Sequence, residues 1–219
     1  MDEEALGEQA TGLIRSIVSF DAVLLATAVV GGSRLRVVGS SALESAELWA
    51  WLRDAALRGT GQILDPSSGA NVVLVDDALE LRQGLAGLRV DTAGRVRVVQ
   101  VLWAAGGPPR RLVVDRADLR DRLHAALRLT ARVLDRVDLA GQLAQVAAAA
   151  GVLGTGMAGR WTGLGRPSGP VGGAAGPIQV VVTPTPAVLA RSALSTWQLA
   201  EELSGLLAAE LPGDAAVLP

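Results

Sequence analysis

The chain contains no cysteine, no lysine and no tyrosine. Without cysteine there is no disulfide, no thiolate metal ligand and no thiol nucleophile. A single histidine, His124, excludes a multi-histidine metal site. Without lysine there is no Gly-Lys-Ser/Thr, so a P-loop is excluded as well. Aromatic residues make up 3% of a chain that is half hydrophobic, so the core must be built from Val, Leu and Ala. Asn71 is the only asparagine and every basic residue is arginine, a bias that a GC-rich coding sequence accounts for more simply than function does. The formal net charge of −2 removes any whole-chain argument for nucleic-acid binding. The start, MDEEALGEQ, is acidic where a signal peptide needs a positive flank. The longest apolar run, Ala22 to Val30, is nine residues, and a membrane helix needs about 20. These absences lead us to expect a soluble, cytoplasmic protein that engages neither membrane nor nucleic acid.

What is present reads as alternating helices and strands. Glu3 to Ser19 carries Leu6, Leu13, Ile14, Ile17 and Val18 near one stripe, with acidic residues at its start to suit the helix dipole. Phe20 to Val30 is a buried-strand run, and Leu35 to Val38 is its expected hairpin partner across Gly31-Gly32. Ser45 is a fitting N-cap for a helix to Arg58, whose buried face holds Leu48, Leu52 and Ala56. Trp49 and Trp51 cannot share a helix face, because residues two apart point about 160° apart. One is expected in the core and the other partly exposed.

A short strand is expected at Gln62 to Asp65, then a turn, then a strand at Asn71 to Val75. Asp76-Asp77 invites a metal or acid/base reading, but a helix N-cap explains the pair more cheaply, with Ala78 to Leu88 as a short helix or irregular cover. Leu88 to Val90 and Arg95 to Trp103 read as strands flanking a polar turn. The Gly106 to Pro109 turn leads to a further strand at Arg111 to Val114. A long helix follows, capped by Asp115 or Asp118, with Leu119, Leu123, Leu127, Leu134 and Val137 on its stripe. Arg128, Arg132 and Arg136 line one face of it, a row that suits a phosphate or an acidic protein, although a solvated or internally paired face is the default.

That order of elements resembles a GAF domain. The residues closest to the family pattern are Val98-Val99-Gln100-Val101-Leu102-Trp103 followed by Gly106 to Leu112, then the exit helix Leu119 to Val137 and its continuation to Leu143. The resemblance spans residues 5–145. It implies a central, mostly antiparallel sheet flanked by helices, an α/β (α+β), GAF/PAS-like fold, and a non-catalytic regulatory or sensory role. It also implies dimerisation through the first and exit helices. Gln100 stands where the family carries glycine, and its cyclic-nucleotide and bilin-attachment residues have no counterpart here, which points to a domain degenerate in ligand binding.

Past residue 145 the composition shifts. Gly154 to Gly159 satisfies G-x-G-x-x-G, but it follows an Ala-rich stretch expected to be helical rather than a strand, and no helix pattern follows it. The same Ala-rich stretch, Leu139 to Gly151, lacks the recognition helix that a DNA-binding helix-turn-helix requires. Three segments result: a GAF-like domain at 1–145, a Gly-rich linker or lid at 146–176, and an arm at 177–219. The arm combines a strand at Ile178 to Thr183 with a helix at Ala187 to Leu211, and must dock on the domain or on a partner. A speculative ligand site would use Asp65, Arg89 and Trp103. Interaction surfaces would use Trp51, Trp161 and Trp197 with Arg128, Arg132 and Arg136. No catalytic residue, metal ligand or cofactor is assigned. The partner is expected to be a second copy or another protein, with a small molecule as a further possibility. The alternatives are a structural or interaction module working through the arm, and a carboxylate-dependent enzyme.

Overall fold

The computed structural model describes residues 3–17, 22–31, 38–104, 116–154, 179–183 and 187–210. Strand β1 (Ala22–Gly31) is buried along its whole length. Its apolar residues alternate between two cores, so both faces are dry and a continuous hydrophobic run is what the position demands. Both of its edges are also filled. Residues Ala22 to Val29 pair with β5 (Val96–Ala104), and Val23 to Gly31 pair with β6 (Gln145–Gly154).

The expected hairpin partner at Leu35 to Val38 therefore has no free edge of β1 to use. Its residues 35–37 lie outside the described set, and the Val38 amide donates instead to the Thr92 carbonyl. Among the described residues the sheet has eight strands, all antiparallel, in the order β2 (Asn71–Val75), β3 (Ala78–Gln83), β4 (Ala86–Asp91), β5, β1, β6. The outer edge of β6 is shared by β7 (Gln179–Val182) and β8 (Ala187–Ala190), which pair with its two halves.

Helices cover the two faces unequally. On one face α1 (Glu3–Arg15) lays Leu6, Ala10 and Ile14 over β1 and β6. The close approach is permitted by Ala26, Ala28, Ala147 and Ala149, all fully buried. The other face is covered by α3 (Ala46–Arg58), α4 (Arg116–Val137) and α5 (Trp197–Glu210), whose leucines form the larger core with Leu25, Leu79, Leu88 and Val98. A four-residue helix, α2 (Ser40–Leu43), precedes α3. Ser45 caps α3 by accepting from the Leu48 amide, as its position predicts. Because α1 and α4 lie on opposite faces of the sheet, the first and exit helices do not share one bundle-forming surface.

Three local expectations are corrected. Asp76-Asp77 caps no helix: it is the two-residue turn of the β2–β3 hairpin, with Asp76 at φ 55°. Ala78 to Leu88 is then strand rather than helix. Gln62 to Asp65 is not a strand, since the Ile63 and Leu64 amides both donate to the Ala56 carbonyl and close the end of α3.

The arm is likewise rearranged. Its strand β7 and helix α5 are separated by β8 and a 3-10 turn at Arg191–Ala193, so the helix starts ten residues later than its leucine stripe suggested. Both strands and α5 dock within the same chain, on β6 and on α4. The G-x-G-x-x-G run starts at Gly154, the last residue of strand β6 rather than the end of a helix. Its remainder at 155–159, with the rest of 155–178 and the expected strand at 111–114, lies outside the described residues. No helix among the described residues is long and apolar enough to cross a membrane.

Of the buried side-chain atoms without a hydrogen-bond partner among the described residues, one sits in β1. The Thr27 hydroxyl, at the centre of β1, makes no hydrogen bond among the described residues although the residue is only 2% exposed. Valine has the same shape without the stranded hydroxyl. Thr27→Val is therefore expected to raise stability by about 1 kcal/mol, read as a higher urea midpoint at unchanged slope. A lower midpoint would show that the hydroxyl is satisfied in solution.

Candidate protein-contact surface

Helix α4 is long enough to present several exposed rows, and its positions four apart drift around the axis by about 40° each. Arg116, Arg120, His124, Arg128, Arg132 and Arg136 follow that drift, from the α5 side across the outer face to the α3 side. The row thus connects two tryptophans that sit on opposite sides of α4.

On the α5 side, Arg120 lies over the Trp197 ring at 4.3 Å, and His124 meets the same ring edge-on at 4.9 Å. The His124 Nε2 atom lies 3.2 Å from the Ser195 carbonyl oxygen. Glu201 receives Arg116 at 2.8 Å and Arg120 at 3.3 Å, one on each carboxylate oxygen. These groups border a shallow, open depression lined by Arg116, Trp197, Glu201, Glu202, Gly205 and Leu206. Trp197 itself is 45% exposed, a large apolar surface to leave in water.

On the α3 side, Arg132 and Arg136 lie over the Trp51 ring at 5.5 and 5.1 Å. Arg136 also pairs with Glu47. Trp49 and Trp51 do point apart, yet neither is fully buried: both pack against the edge of the core, and the Trp49 indole N–H donates to the Leu43 carbonyl at 2.5 Å. Between the two clusters sits Arg128, half-buried and without an ion pair to any described residue.

Stacked guanidinium groups have two consequences. The cation–π contact holds each arginine across its ring without neutralising it, and the flat ring keeps one face accessible once the arginine swings away. Five cations, Arg116, Arg120, Arg128, Arg132 and Arg136, share this surface with four carboxylates, Glu47, Glu201, Asp121 (paired with Arg120 at 3.3 Å) and Glu202. Arg128 and Arg132 are the two with no ion pair to a described residue.

The residues proposed for a ligand site do not converge. Asp65 is exposed in the loop after α3; its Oδ1 accepts from the Ser67 hydroxyl at 2.7 Å and from the Ser67 amide at 2.9 Å. Those bonds, the hydroxyl first, hold its carboxyl below the ordinary range. Arg89 projects from the opposite face of the sheet and is paired with Glu80. Trp103 lies on β5 opposite Val23, with its side chain outside the described residues. Trp161 falls outside them altogether.

Arg128, Arg132, Arg136, Trp51 and Trp197, by contrast, lie on one continuous flank. The sequence missed Arg116, Arg120, His124 and Glu201 as members of it. The i, i+4 spacing of Arg116, Arg120 and His124 was a usable signal, but α5 had to be placed beside α4 before Trp197 and Glu201 joined them. Gln100, the departure from the family pattern, is buried and donates to the Arg122 carbonyl at 2.9 Å, tying β5 to α4.

No family model matches the chain, and neither the curated proteins nor the solved structures contain a significant match to it.

Proposed function

We propose that this chain is a non-catalytic regulatory protein that works by holding another protein, with the outer face of α4 and its two flanking tryptophans as the contact. The observation that carries the reading is the pair of Arg–Trp clusters joined by Arg128, which has no ion pair to any described residue. Tryptophan and arginine are the residues that most often dominate binding energy at protein interfaces. The guanidinium groups of Arg128 and Arg132, which have no ion pair to a described residue, favour a partner with an acidic surface, and salt will weaken the complex. The mostly antiparallel sheet with helices on both faces agrees with a GAF-like regulatory module. The dispersal of Asp65, Arg89 and Trp103 favours partner binding over small-molecule sensing.

A photo-crosslinking residue placed at Arg128 tests this in cells. One adduct of defined mass is expected there, and none from the same residue at Leu85, on the distant β3–β4 turn. Trp197→Ala should weaken the contact about thirtyfold, the scale of a hot-spot tryptophan of roughly 2 kcal/mol, without lowering the melting temperature of this half-exposed position. No adduct at Arg128, or the same adduct from Leu85, would overturn the reading.

A further inference from the structure

Among the described residues the α1 face of the sheet is only half covered: helix α1 packs on β1 and on the strands beyond it, β6 to β8, and no described helix packs on the same face of β3, β4 and β5. Strand register sets a row of charges across that open half: Glu80 on β3 stands opposite Arg89 on β4, and Arg89 stands opposite Arg97 on β5. Arg82 flanks the row, two residues from Glu80 on the same face. Gly87, its partner in register, adds no side chain to the floor between Arg82 and Val99.

The charges in this row do not balance. The Glu80 side chain is 6% exposed; its Oε1 accepts from Arg89 Nη1 at 2.5 Å, and its Oε2 is ion-paired with Arg82. Arg97 has neither contact. Among the described residues its side chain donates a single long bond, 3.4 Å, to the Ser16 hydroxyl near the end of α1. Burial, reinforced by the Arg89 and Arg82 charges and opposed by Glu80, pulls its guanidinium below the ordinary value.

Among the described residues no other carboxylate pairs with it. Asp91 spends Oδ1 on the Ala93 and Arg95 amides and Oδ2 on Arg95 Nε. Asp77 receives the Thr92 hydroxyl, and the last turn of α1 contributes Arg15 rather than an acid. Three guanidinium groups against one carboxylate leave two positive charges in this row among the described residues.

We propose that this open half-sheet is a binding site for a doubly charged oxyanion of the phosphoryl class, held by Arg97, Arg89 and Arg82. Planar guanidinium forks present paired N–H donors at the spacing of phosphoryl oxygens, and a divalent anion cancels the surplus charge. The site lies on the opposite face of the sheet from the α4 surface, so occupancy of one leaves the other open.

Inorganic pyrophosphate, titrated calorimetrically into the intact protein at an ionic strength fixed with potassium chloride, tests the assignment. Saturable one-to-one binding is expected. Arg97→Gln should weaken it about tenfold, the loss of one charge-assisted bond, while Arg128→Gln leaves it unchanged. Arg82 is 60% exposed, so Arg82→Gln keeps the fold and should still weaken binding severalfold, which decides the matter even if Arg97→Gln does not fold. A phosphoserine peptide, run beside its unphosphorylated parent, distinguishes a group carried on a protein from a free anion by which binds tighter. No saturable heat beyond that of chloride, wild-type affinity in Arg82→Gln, or binding of a polyglutamate peptide without pyrophosphate would each overturn the proposal.

Discussion

Asp138→Ala is expected to destabilise the protein by about 3–5 kcal/mol, the range found when one partner is removed from a buried ion pair. Asp138 follows the last residue of α4, with a side chain that has no exposure at all. Its Oδ1 accepts from the Gln142 amide at 2.9 Å, and its Oδ2 accepts from the Leu143 amide at 2.9 Å and from Arg191 at 2.6 Å. The carboxylate therefore closes the loop between α4 and β6 and anchors the 3-10 turn that leads to α5.

Alanine would strand two amide donors and leave Arg191, whose side chain is 17% exposed, with one remaining partner. That partner, Asp135, is 69% exposed and supplies the control, because exposed pairs contribute about 0–1 kcal/mol. Urea unfolding of the two variants gives the comparison. If Asp138→Ala loses no more stability than Asp135→Ala, the buried anchor is not what holds the arm.

Glu80→Ala is the second large effect, expected at about 3 kcal/mol. A fully enclosed pair broken on one side would cost about 3–5 kcal/mol. The lower end applies because Arg82 and Arg89 are 60% and 34% exposed and can turn toward water. Arg97 has less freedom, and with Glu80 gone it faces Arg89 in a row that no longer holds a carboxylate. The variant should regain stability when Arg97 is also changed to Leu, since that removes both the repulsion and the buried charge. A double variant no more stable than Glu80→Ala alone would show that Arg97 does not feel the missing carboxylate.

How far the residues foretold this structure depends on which force sets each element. Where one face must be buried, the pattern was legible. The stripe from Leu119 to Val137 became α4, Ser45 became the cap of α3, and the alternation of Val96, Val98 and Gln100 against Val99 and Val101 became the two faces of β5. The antiparallel sheet with flanking helices follows from those elements.

Alanine misled at β6. Gln145 to Ala150 has a strong intrinsic preference for helix, but in the sheet its small side chains let α1 approach closely, and tertiary packing overrode local propensity. The pairing of β1 with β6 was hidden for the same reason, since no turn joins strands so far apart in sequence. Asp76-Asp77 misled because aspartate serves helix caps and tight turns alike. Of the α4 surface, the arginine row could be read in advance. Its pairing with Trp51 and Trp197 could not, because those rings arrive from helices elsewhere in the chain.

Strand β1 has a consequence for how the protein is made. It is translated early, yet both of its neighbours come much later: β5 ends at Ala104 and β6 at Gly154. Until the second of them leaves the ribosome, this ten-residue, largely apolar strand keeps at least one edge open. Such long-range pairing slows folding and leaves nascent chains prone to aggregate. Productive synthesis of this protein therefore depends on keeping residues 22–31 occupied, by a chaperone or by α1 folded over one face, for the time it takes to add more than half the chain.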